Sequence, residues 1–321
     1  MIALDMKSYL AQIDKLEIKG ESGHYLYSHG SIIKLFLYAL IKGINGFKTL
    51  HQHLKEQPER LDLMDLEVVP HRTTLSRRFK AMPEVLRKLM LEVHEQFVEA
   101  KQIEPLVMSA DSSLMHANGN VWHSKDMKAG RLPSCGNIDT QAHWGISGQG
   151  EWIFGYRLHC LVNAEPKAAL PRDIRVYPAT VKDSQILTTE LSASLSEDTE
   201  LLLTDGGYDE QACYDCCDAL EISLIAPIKV KDHSPEERRE RAKLYQDPEV
   251  RAVFALRKTT VEPFQGRLKD LFNLEYLPIK GLANVRALVT LAATAYLLLA
   301  WFNHCLGRDL LCLKATMLAI R

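Results

Sequence analysis

The chain has 321 residues, with 39 Lys and Arg against 41 Asp and Glu, a net charge of −2, 46 % apolar and 25 % charged residues. This is the composition of a globular chain, which excludes collagen, wholesale disorder and a low-complexity scaffold. The length allows about two domains, each with its own core, and the balanced charge excludes a uniformly basic coat while permitting a local basic face.

The first residues, MIALDMKSYL, lack the basic stretch and apolar run of a signal peptide. Seven Cys, an odd number, do not read as a disulfide framework, so a cytoplasmic location is expected. Residues 30–104 read as helical. Ile32, Ile33, Leu35, Phe36, Leu40 and Ile41 form one apolar stripe, ended by Gly43 and Gly46. A short helix follows at Lys48–Lys55. After the break at Val69-Pro70, Thr73 or Thr74 can cap a third helix through Lys80. Pro83 suits the first turn of a fourth, with Val85, Leu89, Val93 and Phe97 on its buried face.

The pattern changes at Pro105. Leu106–Asp111 is a short apolar run ending in a carboxylate, and 116–150 reads as a polar, Gly-rich loop. Ile153–Asn163 and Leu170–Tyr177 read as strands, Ser184–Leu195 as helix, and Leu201–Asp205 as another strand ending in a carboxylate before Gly206-Gly207. A helix at Glu210–Leu220 and a fifth strand at Ile222–Pro227 complete a mixed α/β sheet with flanking helices. Its organisation is a helical domain over 1–104 and an α/β domain over 105–321, with a short charged insertion at about 229–256. Cys213, Cys216 and Cys217 read as half-buried helix residues, because no second pair follows at zinc-site spacing. Ala287–Phe302 has sixteen residues without a charge. That is short of the roughly 20 a membrane span needs, so it reads as a buried core helix and no membrane is expected.

Asp111 and Asp205 each end a predicted strand, the edge where open sheets bind ligands. Two acids held together need a cation between them, and oxygen ligands suit Mg²⁺ or Mn²⁺. Glu262 and Lys269, seven apart, share a face of the helix around Arg257–Lys269. Two strand-end acids followed by a helical acid suit two-metal phosphoryl transfer. Between Arg72 and Lys88 six basic residues face one acid. Arg72, Arg77, Arg78 and Lys80 lie in what looks like a recognition helix for DNA.

Four stretches together resemble the DDE transposases of bacterial insertion sequences: Ser109–Ser113, Gly155–His159 with Pro178–Ser184, Thr204–Asp209, and Arg257–Lys269. The resemblance implies a ribonuclease H-like five-stranded core in the 105–321 region behind an all-α DNA-binding domain. It implies that Asp111, Asp205 and Glu262 ligate two Mg²⁺ ions, with Mn²⁺ as a substitute. Water activated by one ion would cut the element end, and the freed 3′-hydroxyl would attack target DNA. Lys269 would hold a phosphate, with Lys258 and Arg257 as accessory contacts, and Asp183 and His159 would shape the site. The partners implied are double-stranded DNA with terminal inverted repeats, target DNA and a second copy of the chain, in a bacterial cytoplasm at the nucleoid. The chain departs from one branch of the family. The Arg slot four before Glu262 holds Lys258, with Arg257 one residue off, the Tyr slot holds Ala255, and there is no room for a large β-rich insertion. A nuclease without strand transfer and a non-catalytic DNA-binding derivative are the alternatives, and intact Asp111, Asp205 and Glu262 argue against the second. A Cys/His metal protein finds no compact ligand spacing among His116, His123, His143 and His159.

Overall fold

The computed structural model describes residues 2–16, 18, 26–133, 135–228, 230, 231 and 234–321. Residues 229, 232 and 233 of the expected insertion therefore lie outside the described residues, as do 1, 17 and 19–25 of the N-terminal region. The N-terminal helices are α1 (Met6–Leu10), α2 (His29–Lys42), α3 (Phe47–Glu56), α4 (Arg72–Lys80) and α5 (Pro83–Glu99). Gly43 ends α2 in the left-handed conformation, and Pro83 opens α5. The cap of α4 is His71, whose Nδ1 accepts from the Thr73 amide, rather than Thr73 or Thr74.

The sheet follows. Strand β1 (Val107–His116) leads through a short α6 (Ser124–Lys128) to β2 (His143–Ile146), β3 (Trp152–Asn163) and β4 (Pro171–Pro178). Then come α7 (Asp183–Ile186), β5 (Leu201–Leu203), α8 (Gln211–Asp218) and β6 (Ser223–Ile225). The chain finishes with α9 (Glu236–Leu244), α10 (Pro248–Thr259), α11 (Val261–Phe272), α12 (Leu282–Cys305) and α13 (Leu313–Ile320).

The five expected strands lie in the order β4-β3-β1-β5-β6, with β1, β5 and β6 parallel and β3 antiparallel to both neighbours. A sixth, β2, corrects the reading of 116–150 as loop. It pairs with the start of β3, opposite β1. A Cβ at Gly155 would fall 1.8 Å from the Met115 carbonyl oxygen, so only glycine lets β3 approach β1 there. Strand β1 also runs to His116, five residues past its expected end at Asp111. Ser112 and Ser113 pair with His159 and Leu158 of β3.

Both faces of the sheet are covered. One apolar cluster joins α1–α5, α11, α12 and α13 to β3 and β4. A second holds Met108, Ala110, Leu161, Leu202 and Ile222 against Ile186, Leu187 and α8, including Cys213 and Cys217. Helix α12 is long and apolar enough to cross a membrane, but 83 % of its most apolar window is buried inside this fold. It packs on α5 and β4. Its Tyr296 hydroxyl donates to the Ala169 carbonyl at 3.2 Å, and Arg286 donates to the Val176 carbonyl at 2.9 Å. A bidentate pair ties the helical region to the sheet. Arg87 of α5 meets both oxygens of Asp173, which is 1 % exposed, at 2.8 and 3.0 Å.

Candidate active site

Strand β1 outruns its neighbour. Val107, Met108 and Ser109 pair in parallel with Leu201, Leu202 and Leu203, where β5 stops. Asp111 and Asp205 each stand two residues past the last pair, Ser109 and Leu203, at the mouth where the parallel strands part. Asp111 opposes Cys160 of β3 and is buried. Its Oδ1 accepts from the Ser112 amide at 2.8 Å. Asp205 caps the 3₁₀ turn Gly206–Tyr208, its Oδ1 accepting from Gly207 N at 2.9 Å.

Glu262 opens α11, which packs on β1 and β3 through the face bearing Val261, Phe264 and Leu268. Gln265 Nε2 reaches the Cys160 sulfur at 3.4 Å and fixes the helix beside Asp111. The expected single helix is broken at Thr260, where α10 ends and α11 begins. The break turns Arg257 inward. Its Nη2 lies 2.8 Å from Asp111 Oδ2, and its Nη1 lies 3.1 Å from Glu262 Oε1. One guanidinium thus joins two of the three acids, with Asp111 deep (side chain 9 % exposed) and Glu262 at the rim (48 %).

Asp183 is the acid beside Asp205. A Cβ on Gly207 would lie 3.0 Å from Asp205 Oδ1 and 3.2 Å from Asp183 Oδ2, so the bare glycine lets the two carboxylates face the same turn. Arg157 Nη1 holds Asp183 Oδ2 at 3.3 Å and Ser112 Oγ at 3.0 Å, and His159 Nδ1 lies 3.2 Å from Asp183 Oδ1. Burial raises the Asp183 carboxyl, but His159 and Arg157 outweigh it and hold the group below the usual range. Burial lowers His159, which is neutral beside the ionised Asp183. Asp111 moves the other way. Burial, then the charges of Asp205 and Asp183, push it up to about 7 against the pull of Arg257.

Carboxylate oxygens are the donors a hard divalent ion takes. Two orphaned hydroxyls border them, Tyr208 and Thr204, both fully buried and without a hydrogen-bond partner. The charges of Asp183, Asp111 and Asp205 all act on the Tyr208 phenol. The donor chemistry therefore fits such an ion. No three His, Cys, Asp or Glu side chains among the described residues are gathered tightly enough to hold one as they stand, and Arg257 takes the place between Asp111 and Glu262.

The remaining candidates divide. Lys269 is spent on the protein, 2.7 Å from the Leu114 carbonyl and 2.7 Å from Glu275. Lys258 is exposed. On α4, Arg72, Arg77 and Lys80 are exposed, whereas Arg78 is buried with Nη2 3.1 Å from His29 Nδ1 and does not share their face. A 3₁₀ segment, Pro58–Met64, separates α3 from α4, so the pair lacks the tight turn of a helix-turn-helix. In the insertion, Arg238 is paired to Asp209 and Arg241 lies over the Tyr214 ring. Arg157, Gln265 and the bridging role of Arg257 escaped the sequence reading. Each lies inside a stretch singled out there, Arg157 in Gly155–His159 and Arg257 and Gln265 in Arg257–Lys269, but their contacts were not foreseen.

The model of the transposase DDE domain family matches residues 103–298. The chain belongs to the DDE transposase family, and its activity is DNA transposition. The comparison with curated proteins gave no match. Among solved structures, the chain is similar to a piggyBac transposase synaptic complex with hairpin DNA (TM-score 0.42, 10 % identity, 98 % of this chain and 75 % of that one). It is also similar to a pre-cleavage Mos1 transpososome (TM-score 0.23, 10 % identity, 87 % and 80 %) and to the Mos1 mariner paired end complex with Mn (0.23, 14 %, 88 % and 80 %).

Proposed function

We propose that Asp111, Asp205 and Glu262 hold two divalent ions, Mg²⁺ or Mn²⁺, and that the site cuts DNA at the terminal inverted repeats and joins the freed end to target DNA. The observation that carries this reading is the placement of Asp111 and Asp205 in matching register beyond the last parallel pair, with Glu262 brought to Asp111 across one guanidinium. When bound, such ions supply a nucleophile at neutral pH and neutralise charge in an in-line displacement at phosphorus.

The chain's own residues do the positioning. Ser112 N and Gly207 N each fix one oxygen of Asp111 and of Asp205. Gln265 holds α11 at its depth, and Arg157 with His159 keeps Asp183 ionised and aimed at the same turn. Arg72, Arg77 and Lys80 contact DNA phosphates, Lys258 adds charge at the rim, and two copies of the chain act on paired ends. Lys269 supports β1 rather than a phosphate.

The test is cleavage of DNA bearing the inverted repeats. Asp111→Asn, Asp205→Asn and Glu262→Gln each lose roughly a thousandfold or more in rate, as expected for groups acting as one unit. Their DNA binding by mobility shift stays near wild type. A variant that still cuts at near parental rate removes that residue from the site. Cut ends that are never joined to a second duplex would make the protein a nuclease.

A further inference from the structure

Arg257 stands at the end of an arm with no core of its own. Neither α9 nor α10 contains a buried residue. The arm is held by polar and aromatic contacts rather than by apolar burial. Arg238 of α9 pairs with Asp209, in the turn that follows Asp205. Arg241 lies 4.0 Å over the Tyr214 ring of α8 and donates to Gln211 Oε1 at 3.1 Å. Tyr245 meets Phe254 edge-on at 5.1 Å, folding the end of α9 against α10. Past the Thr260 break the character reverses, since α11 is anchored by Val261, Phe264, Leu268 and Gln265. Segments with few buried contacts open at a fraction of the cost of global unfolding. The break therefore separates an element that can lift from one that cannot.

We propose that the α9–α10 arm latches the site: in the DNA-free protein Arg257 is an internal cation on Asp111 and Glu262, and it must lift away before divalent ions can enter. This rests on the reading of Asp111 and Glu262 as ion-holding acids. Carboxylates brought together without an ion repel, and the planar guanidinium fork answers both at once. The same fork binds a phosphate in bidentate fashion. A DNA backbone entering the crevice therefore offers Arg257 a replacement partner, and its departure frees the acids. DNA binding and ion loading are then coupled, each strengthening the other.

The test reads Mn²⁺ binding to the full chain, by the electron paramagnetic resonance of free Mn²⁺, with and without a duplex bearing the inverted repeat. A closed latch lowers apparent affinity by the fraction of open molecules. Arg257→Gln is therefore expected to bind Mn²⁺ on the order of tenfold tighter than wild type without DNA. The duplex tightens wild type toward the variant and changes the variant little. Phe254→Ala, which loosens the arm without touching an acid, shifts affinity the same way by less, and it carries the test should Arg257→Gln not fold. Variant and wild-type affinities within twofold of each other, or equal tightening of both by DNA, would overturn the latch. Asp111→Asn separates the two ideas. Lost Mn²⁺ binding there with Arg257→Gln unchanged removes the latch and keeps the ion site, whereas unchanged binding in Asp111→Asn removes the ion site itself.

Discussion

The two ends of the sheet are built to different standards. At the β4 end, Asp173 is 1 % exposed and takes hydrogen bonds from Arg87, Arg175, Ser194 and the Ile174 amide, while α5 and α12 cover the strand. At the β5–β6 end the strands are three residues long, and neither helix of the arm beyond them contains a buried residue. The acids sit between the two. Asp111 belongs to a long central strand, and Asp205 to the turn after a short one. A frame that is rigid on one side and loosely bound on the other keeps the acids aligned while leaving a wall that can open.

The largest expected effect tests the rigid end. Asp173→Ala leaves Arg87 and Arg175 without their buried counter-charge and is expected to cost about 3–5 kcal/mol in urea unfolding. Phe254→Ala in the arm costs about 1 kcal/mol or less. Equal losses at the two sites would erase the contrast.

The next prediction concerns Asp111, whose carboxyl is pushed up to about 7 in the folded chain and titrates near 3.9 when unfolded. Between those values the folded state keeps a proton that the unfolded state releases. Its contribution to stability therefore falls as pH rises from about 4 to about 7 and levels off above. Asp111→Asn removes this slope. In chelator, the variant gains on wild type between pH 4 and pH 8 by a few kcal/mol at most, at about 1.4 kcal/mol per pH unit. Parallel melting profiles for the two proteins would show that Asp111 is not held in so costly a place.

The smallest effect is at the periphery. Replacing Arg72, Arg77 and Lys80 with Ala lowers the slope of log affinity against log salt by about 2–3, if each meets one phosphate. Arg78→Ala leaves the slope alone and costs stability instead, about 1–3 kcal/mol for a buried hydrogen-bonding group.

Much of this architecture was legible because its signals are local. The apolar stripe of α2, Gly43 and Pro83 announce themselves within one or two turns, and both strand-end aspartates follow runs of apolar residues. Strand β2 was hidden, since His-Trp-Gly-Ile has no alternation and exists as a strand only by pairing with β3. Asp111 was expected at a strand end and lies mid-strand. What ends just before it, at Ser109, is the pairing with β5, a property of two strands that neither sequence carries alone. Arg257 was the hardest to read. In one continuous helix, residues five apart point roughly 140° away from each other, so Arg257 and Glu262 should not meet. Their contact depends on the break at Thr260, a residue that is fully buried with its hydroxyl on the Leu256 carbonyl.

Helix α12 has a consequence for how the chain is made. Its burial partners include α1, α2, α4 and α5 from the start of the chain and β4 from the middle. A nascent polypeptide emerging in order exposes those apolar faces for most of its synthesis, and they find their cover only once residues 282–305 have left the ribosome. Translation that stops short of Leu282 would therefore yield no working half-enzyme, but an aggregation-prone chain with its acids unassembled.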